Sequence, residues 1–212
     1  MAITATEPIA APHETSEVGL VESARAVNLN VETVTSNPLL PTDRKWAIRF
    51  NAGGTVTIIL GMKDYGRGWF SAYFAGLAAA RLGIPFPRFR VYYAATLPAV
   101  LQTPVPSPSV FHRCHIGSIA NAVGDVVEAM CDQVIEKGRS AFAALAGVGV
   151  IDVGFDRQTG CYFVLERDRS GNIFEIAEAT RGGSSVSIAF ARKLRRGGKC
   201  VIAEESQAPS AA

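Results

Sequence analysis

The sequence predicts an α/β (α+β) domain: a β-hairpin, a strand–helix–strand unit, a long second helix and a further β-hairpin. Three observations carry this. Short β-forming runs and longer helical runs alternate along the chain. Glycine and proline punctuate the joins. Nearly half of the 212 residues are apolar (48%), enough for one domain with a real core.

The elements follow in order. "KWAIRF" (45–50) and "TVTIIL" (55–60) read as strands, and "NAGG" between them is a turn composition that tolerates positive φ. In the second strand Val56, Ile58 and Leu60 share one face. Trp69 to Leu82 reads as a helix whose apolar stripe is Phe70, Tyr73, Phe74 and Leu77. Gly83 stops it and Pro85 follows. "RFRVYY" (88–93) is the next strand. Residues 96–111 contain Pro98, Pro104, Pro106 and Pro108 and read as a stiff, irregular connection. A second helix is predicted from about Ile116 to Lys137, with Ile119, Val123, Val127, Met130 and Val134 on its stripe and Gly138 as C-cap. "SAFAALAGV" reads as a separate short helix. "VIDVGFD", the turn "RQTG" and "CYFVLERD" form a hairpin, and "FEIAEAT" a final short helix.

The domain is expected at residues 44–180. Residues 1–43, rich in Ala, Thr, Ser, Glu and Pro, read as a mobile arm, and residues 181–212 as a basic, then polar tail. Net charge is +2, which gives no general attraction to nucleic acid or membrane. No apolar run is long enough to span a bilayer. The N-terminus lacks the basic start and apolar stretch of a secretion signal. Four cysteines without C-x-x-C spacing argue against a zinc ribbon or a cysteine-ligated iron–sulfur cluster. Reduced thiols in the cytoplasm are the expectation.

Several clusters invite a chemical reading. In "YGRGW" (65–69), Gly66, Arg67 and Gly68 open a helix. Free backbone N–H groups there suit a phosphate, and Arg67 can add a forked contact. The plainer reading is a strand-to-helix turn that needs small residues. His112, Arg113, Cys114 and His115 place two imidazoles and a thiol near a helix start. The plainer reading is a loop with a partly buried Cys114, and no metal site is expected. Glu128, Asp132 and Glu136 at four-residue spacing read as a solvated face beside Lys137 and Arg139. The aromatics of "GWFSAYF" read as core. The bases of 192–199 (Arg192, Lys193, Arg195, Arg196, Lys199) read as a solvated tail that could also dock on an anionic partner.

The stretch "GGTVTIILGMKDYGRGWFSAYFAGLAAARLGIPFPRFRVYYAATLPAVLQTP" resembles the molybdopterin-binding region of the molybdenum hydroxylases, the family of xanthine dehydrogenase, aldehyde oxidase and aerobic carbon monoxide dehydrogenase. That family shows a strand, a G-Q-G loop, a helix ending in L-G-I-P, a strand and a D-T phrase. The counterparts here are Thr55–Gly61, Gly66-Arg67-Gly68, Leu82-Gly83-Ile84-Pro85, Arg88–Tyr93 and Ala95-Thr96. A second helix beginning near G-N-A-V corresponds to Ala120-Asn121-Ala122-Val123. The resemblance covers about residues 46–180. It implies molybdopterin as cofactor, contacts from Gly66, Arg67, Gly68, Cys114 and His115, and other subunits of a molybdenum hydroxylase complex as partners. It also marks departures. Arg67 stands where the family has glutamine, Ala95 where it has an acid, and Arg113-Cys114-His115 where it has a polar contact segment. The G-x-G-E phrase with the catalytic glutamate is missing, so no catalytic residue is expected. The implied function is a cofactor-binding component of an oxidoreductase that is inactive alone. The alternative is a diverged scaffolding module that keeps the fold and has lost the cofactor.

Overall fold

In the computed structural model the described residues are 27–62, 64, 69–94, 111–165, 168–182 and 184–197, with the backbone alone for 69, 111–116, 184 and 195. They form a mixed α+β fold of two sheets and four helices. The first sheet holds β1 (Val31–Thr33), β2 (Trp46–Phe50), β3 (Val56–Leu60) and β4 (Phe89–Tyr93) in that order. β1, β2 and β3 pair antiparallel, whereas β3 and β4 pair parallel. The parallel register runs from Val56↔Phe89 to Leu60↔Tyr93, so the two strands end level.

The β2–β3 hairpin closes as its composition predicts. Gly53 and Gly54 both adopt positive φ, 88° and 71°, which costs glycine nothing and other residues much. The amide of Asn51 donates to the carbonyl of Thr55 at 2.9 Å. The predicted alternation in β3 holds: Val56, Ile58 and Leu60 are buried, while Thr57 and Ile59 are half-buried.

A parallel pair needs a crossover, and α1 (Trp69–Leu82) supplies it. Gly83 (φ 63°) ends the helix, and the Ile84 amide donates back to the Ala79 carbonyl. The buried stripe is not quite the predicted one. Phe70, Phe74, Ala78 and Leu82 are buried, whereas Tyr73 is 48% exposed. At 100° per residue Tyr73 falls at the rim of the stripe, and its hydroxyl is better hydrated there.

α2 spans Phe111–Ala146 and corrects three expectations. It begins five residues before Ile116, because nothing after Pro108 prevents helix. Its backbone therefore takes in His112 to His115, which were expected in a loop. It also runs through Gly138 and absorbs the predicted separate helix. Gly138 is there for clearance: a Cβ would lie 2.0 Å from the Tyr162 hydroxyl. The true end is Gly147 (φ 65°). Its amide donates to Ala144 and that of Val148 to Ala143, which is a Schellman closure. The predicted stripe holds, with Val123, Val127, Met130 and Val134 fully buried.

The second sheet is β5 (Val153–Asp156), β6 (Cys161–Val164) and β7 (Ser170–Asn172), antiparallel throughout. β7, three residues long, carries no periodic signal and was not foreseen. Asn172 then caps α3 (Ile173–Arg181), accepting from the amides of Phe174 and Glu175, while Glu175 accepts from the Asn172 amide. That is a capping box. Arg181 reaches back to the Phe50 carbonyl at 2.7 Å and ties α3 to the first sheet.

Both expected boundaries move outward. Leu29, Val31 and Leu40 are buried and β1 belongs to the sheet, so residues 29–40 pack on the domain rather than lying in an arm. Residues Ser184–Arg195 form α4, with Ser187, Phe190, Ala191 and Leu194 buried, where a tail was expected. Their apolar spacing was outweighed in the sequence by the four bases around them.

Candidate functional site

The candidate site is the edge where β3 and β4 end. In open sheets with parallel strands, ligands bind outside the carboxyl ends of those strands. Here Leu60 and Tyr93 are register partners, and the Ala94 amide donates to the Leu60 carbonyl at 2.8 Å. The chain leaves this edge twice, toward α1 through residues 61–68 and toward α2 through residues 94–110.

α1 begins at this edge, and α2 begins beyond it at the same end of the sheet. α1 must begin there, since it follows β3 and precedes β4. The direction of α2 is fixed by two sets of contacts. Lys137 donates to the Asn30 carbonyl at 2.7 Å, and the Asn30 side chain accepts from the Phe50 amide at 2.9 Å. Phe50 pairs with Val56, the first residue of β3. Ala122, Asp125 and Val126 instead line a groove with residues 33–38, which follow the Thr33–Trp46 pair at the opposite end of the sheet. α2 therefore runs alongside α1 in the same sense; the Arg81–Asp132 pair sets the start of α1 level with about residue 120, so the α1 N-terminus faces the edge where β3 and β4 end and the first turns of α2 project about 13 Å beyond it. Each N-terminus leaves backbone N–H groups without helical partners and carries partial positive charge.

Side chains at the edge come from four elements. Ser71, in the first turn of α1, shares a 2.9 Å hydrogen bond with the Tyr93 hydroxyl at the end of β4. Burial raises the Tyr93 pKa, the Ser71 hydrogen bond lowers it, and the Asp64 carboxylate raises it. The net direction is upward, so the phenol keeps its proton at neutral pH and remains a donor. Asp64 is exposed. Trp46, first residue of β2, is fully buried. Its indole nitrogen is the nearest atom to the place a Cβ on Gly61 would occupy, at 2.6 Å. Only glycine fits at 61.

The predicted site residues fall as follows. Gly66, Arg67 and Gly68 lie outside the described residues, in the connection between β3 and α1. Cys114 and His115 lie on the backbone of the first turns of α2, whose side chains are outside the description. The carboxylates of α2 are surface groups, as expected. Asp132 is paired with Arg81, and Glu136 with Arg139. Among the described residues no group of His, Cys, Asp and Glu is arranged to hold a metal. Sequence reasoning missed Trp46, Ser71 and Tyr93. Each looked like an ordinary strand or helix residue, and only the parallel register places them together.

Elsewhere, a cavity of about 620 Å³ lies at the far end of α1, lined by Gly83, Arg88, Arg157 and Phe174 among others. No predicted site residue lines it. The thiols also differ from expectation. Cys131 is buried and free, and burial pushes its pKa up to about 12. Cys161 is disulfide-bonded, so four reduced thiols was not the right expectation. Among the described residues no helix is long and apolar enough to cross a membrane.

No known family matches this chain, and no curated protein or solved structure is significantly similar to it.

Proposed function

We propose that the chain is a molybdopterin-binding component of a molybdenum hydroxylase, and that it forms one wall of the cofactor cleft. The observation that supports this reading is the edge where the carboxyl ends of two parallel strands meet the N-terminus of α1. The residues at that edge suit the cofactor. It bears a phosphate, which helix N-termini attract. It also bears a heterocycle rich in acceptors, which the Trp46 indole and the Tyr93 hydroxyl suit. Asp64, just past β3, is exposed.

In this reading Gly66, Arg67 and Gly68, with Cys114 and His115, contact the cofactor. When bound, the molybdenum centre of that family hydroxylates carbon using oxygen from water. This chain's own part is to bind and orient. It lacks the family's catalytic glutamate phrase, so partner subunits complete the site and carry electrons away through iron–sulfur and flavin groups. The isolated chain then reduces no dye in the presence of substrate.

The substitutions at Arg67, Ala95 and Cys114 favour a second reading, a scaffolding module without cofactor. Affinity purification from native cells supplied with molybdate separates the two. The first reading expects iron–sulfur and flavin subunits to come with the chain, and expects Arg67→Gln, which restores the family residue, to keep or improve cofactor retention. A chain that arrives without such partners, or whose cofactor is lost on Arg67→Gln, contradicts it.

A further inference from the structure

Trp46 carries a hydrogen-bond donor that the protein itself does not use. Its side chain is 0% exposed, and its Nε1–H has no acceptor. Buried indole N–H groups normally find a partner, and each one left unsatisfied destabilises the fold that holds it. The orphan is not in a remote part of the core. The nitrogen edge of the ring faces Gly61, the first residue beyond β3, and Gly61 offers no side chain to cover it. The same edge receives the N-terminus of α1, which carries further unpaired donors.

We propose that the Trp46 indole N–H is a donor reserved for an acceptor oxygen of a phosphate-bearing ligand bound at the carboxyl edge of β3 and β4. The inference rests on the proposed function for the identity of the natural ligand, but the donor itself is a feature of this fold. Two groups of donors then act on one anion from different elements: the indole and the first amides of α1. Trp46 acts as a positioning residue that sets how deep the phosphate sits. The hydrogen bond is made only with ligand present, so it adds to affinity and not to the stability of the free chain.

The test uses the full chain and pyrophosphate as probe. The Trp46 indole resonance is assigned in ¹H–¹⁵N spectra by its loss in Trp46→Phe; the chain has two tryptophans, so the assignment is direct. Titration with pyrophosphate should shift that proton downfield and saturably. In Trp46→Phe, calorimetry should show pyrophosphate binding weakened by about tenfold or more, the loss expected for one hydrogen bond to a charged acceptor. The urea midpoint of free Trp46→benzothienylalanine, which keeps the ring volume and lacks the N–H, should be no lower than that of the unaltered chain, whereas Trp46→Phe also carries a cavity cost. An indole peak unmoved at saturating pyrophosphate overturns the proposal, as does no binding, or equal affinity in the variant. If Trp46→Phe does not fold, the titration of the unaltered chain decides alone. A saturable shift in a protein that carries no pterin would leave this inference standing and remove the reading it borrows its ligand from.

Discussion

Arg81 holds Asp132 by two parallel hydrogen bonds, Nε to Oδ1 at 2.9 Å and a terminal nitrogen to Oδ2 at 2.7 Å. The forked pair joins the last turn of α1 to the middle of α2 and helps keep the helices aligned. Both groups are partly exposed, so water screens the pair. Arg81→Met should cost about 0.5–1 kcal/mol of stability. A urea series at low and high salt checks this. A loss that does not shrink with salt would mean that the aliphatic stem matters more than the charge.

Gly138→Ala tests why α2 continues past a glycine. In an exposed helix the change would stabilise by about 1 kcal/mol. Here the new methyl meets the Tyr162 ring, whose hydroxyl donates to the Ile135 carbonyl at 3.3 Å. Overpacking should win, with a loss of about 1–3 kcal/mol. Gly138→Ala combined with Tyr162→Phe should recover part of it, because the closest atom has gone. Denaturant midpoints of the two single variants and the double variant give the coupling.

The reading of the fold succeeded where one physical term dominated. β3 alternates cleanly, the "NAGG" turn needs positive φ, and Gly83 ends α1 where the apolar stripe ends. It failed where a distant contact decided. Gly138 looks like a stop until Tyr162 is seen to need the space. Residues 29–40 look like an arm until Val31 pairs with Ile48. α4 reads as a basic tail, although Leu194 and Phe190 dock its other face. The described part of the candidate edge was not legible. Gly66 to Gly68 and Cys114-His115 could be singled out by composition, but Trp46, Ser71 and Tyr93 could not, since a parallel register leaves no local mark.

Asp156 gives a pH dependence with a definite sign. Its carboxylate accepts from the Thr159 hydroxyl at 2.6 Å and the Gln158 amide at 2.9 Å, which closes the β5–β6 turn. The Thr159 hydrogen bond is the largest cause that holds its pKa below the ordinary carboxylate value. A lowered pKa in the folded state means that the stabilisation is present above the unfolded pKa and is lost as pH falls through the folded one. Asp156→Asn should therefore cost about 1 kcal/mol at pH 7, and the cost should shrink below about pH 4. Thermal midpoints from pH 7 to 3 measure it. A pH-independent cost would place the effect in turn geometry alone.

Cys131 should be chemically silent in the folded protein. It is buried, and burial raises its pKa to about 12, so almost no thiolate exists at pH 7. Iodoacetamide should label it only after denaturant opens the core. Rapid labelling of the native chain, read by peptide mass, would contradict the packing of α2 against the sheet.

The central claim is that the carboxyl edge of β3 and β4 holds a pterin cofactor. The most direct measurement is the amount of fluorescent oxidised pterin released from the natively purified protein, from cells supplied with molybdate. The account predicts about one pterin per chain, set by the single edge the fold provides. Purified protein that releases none, with the chain folded, would contradict it.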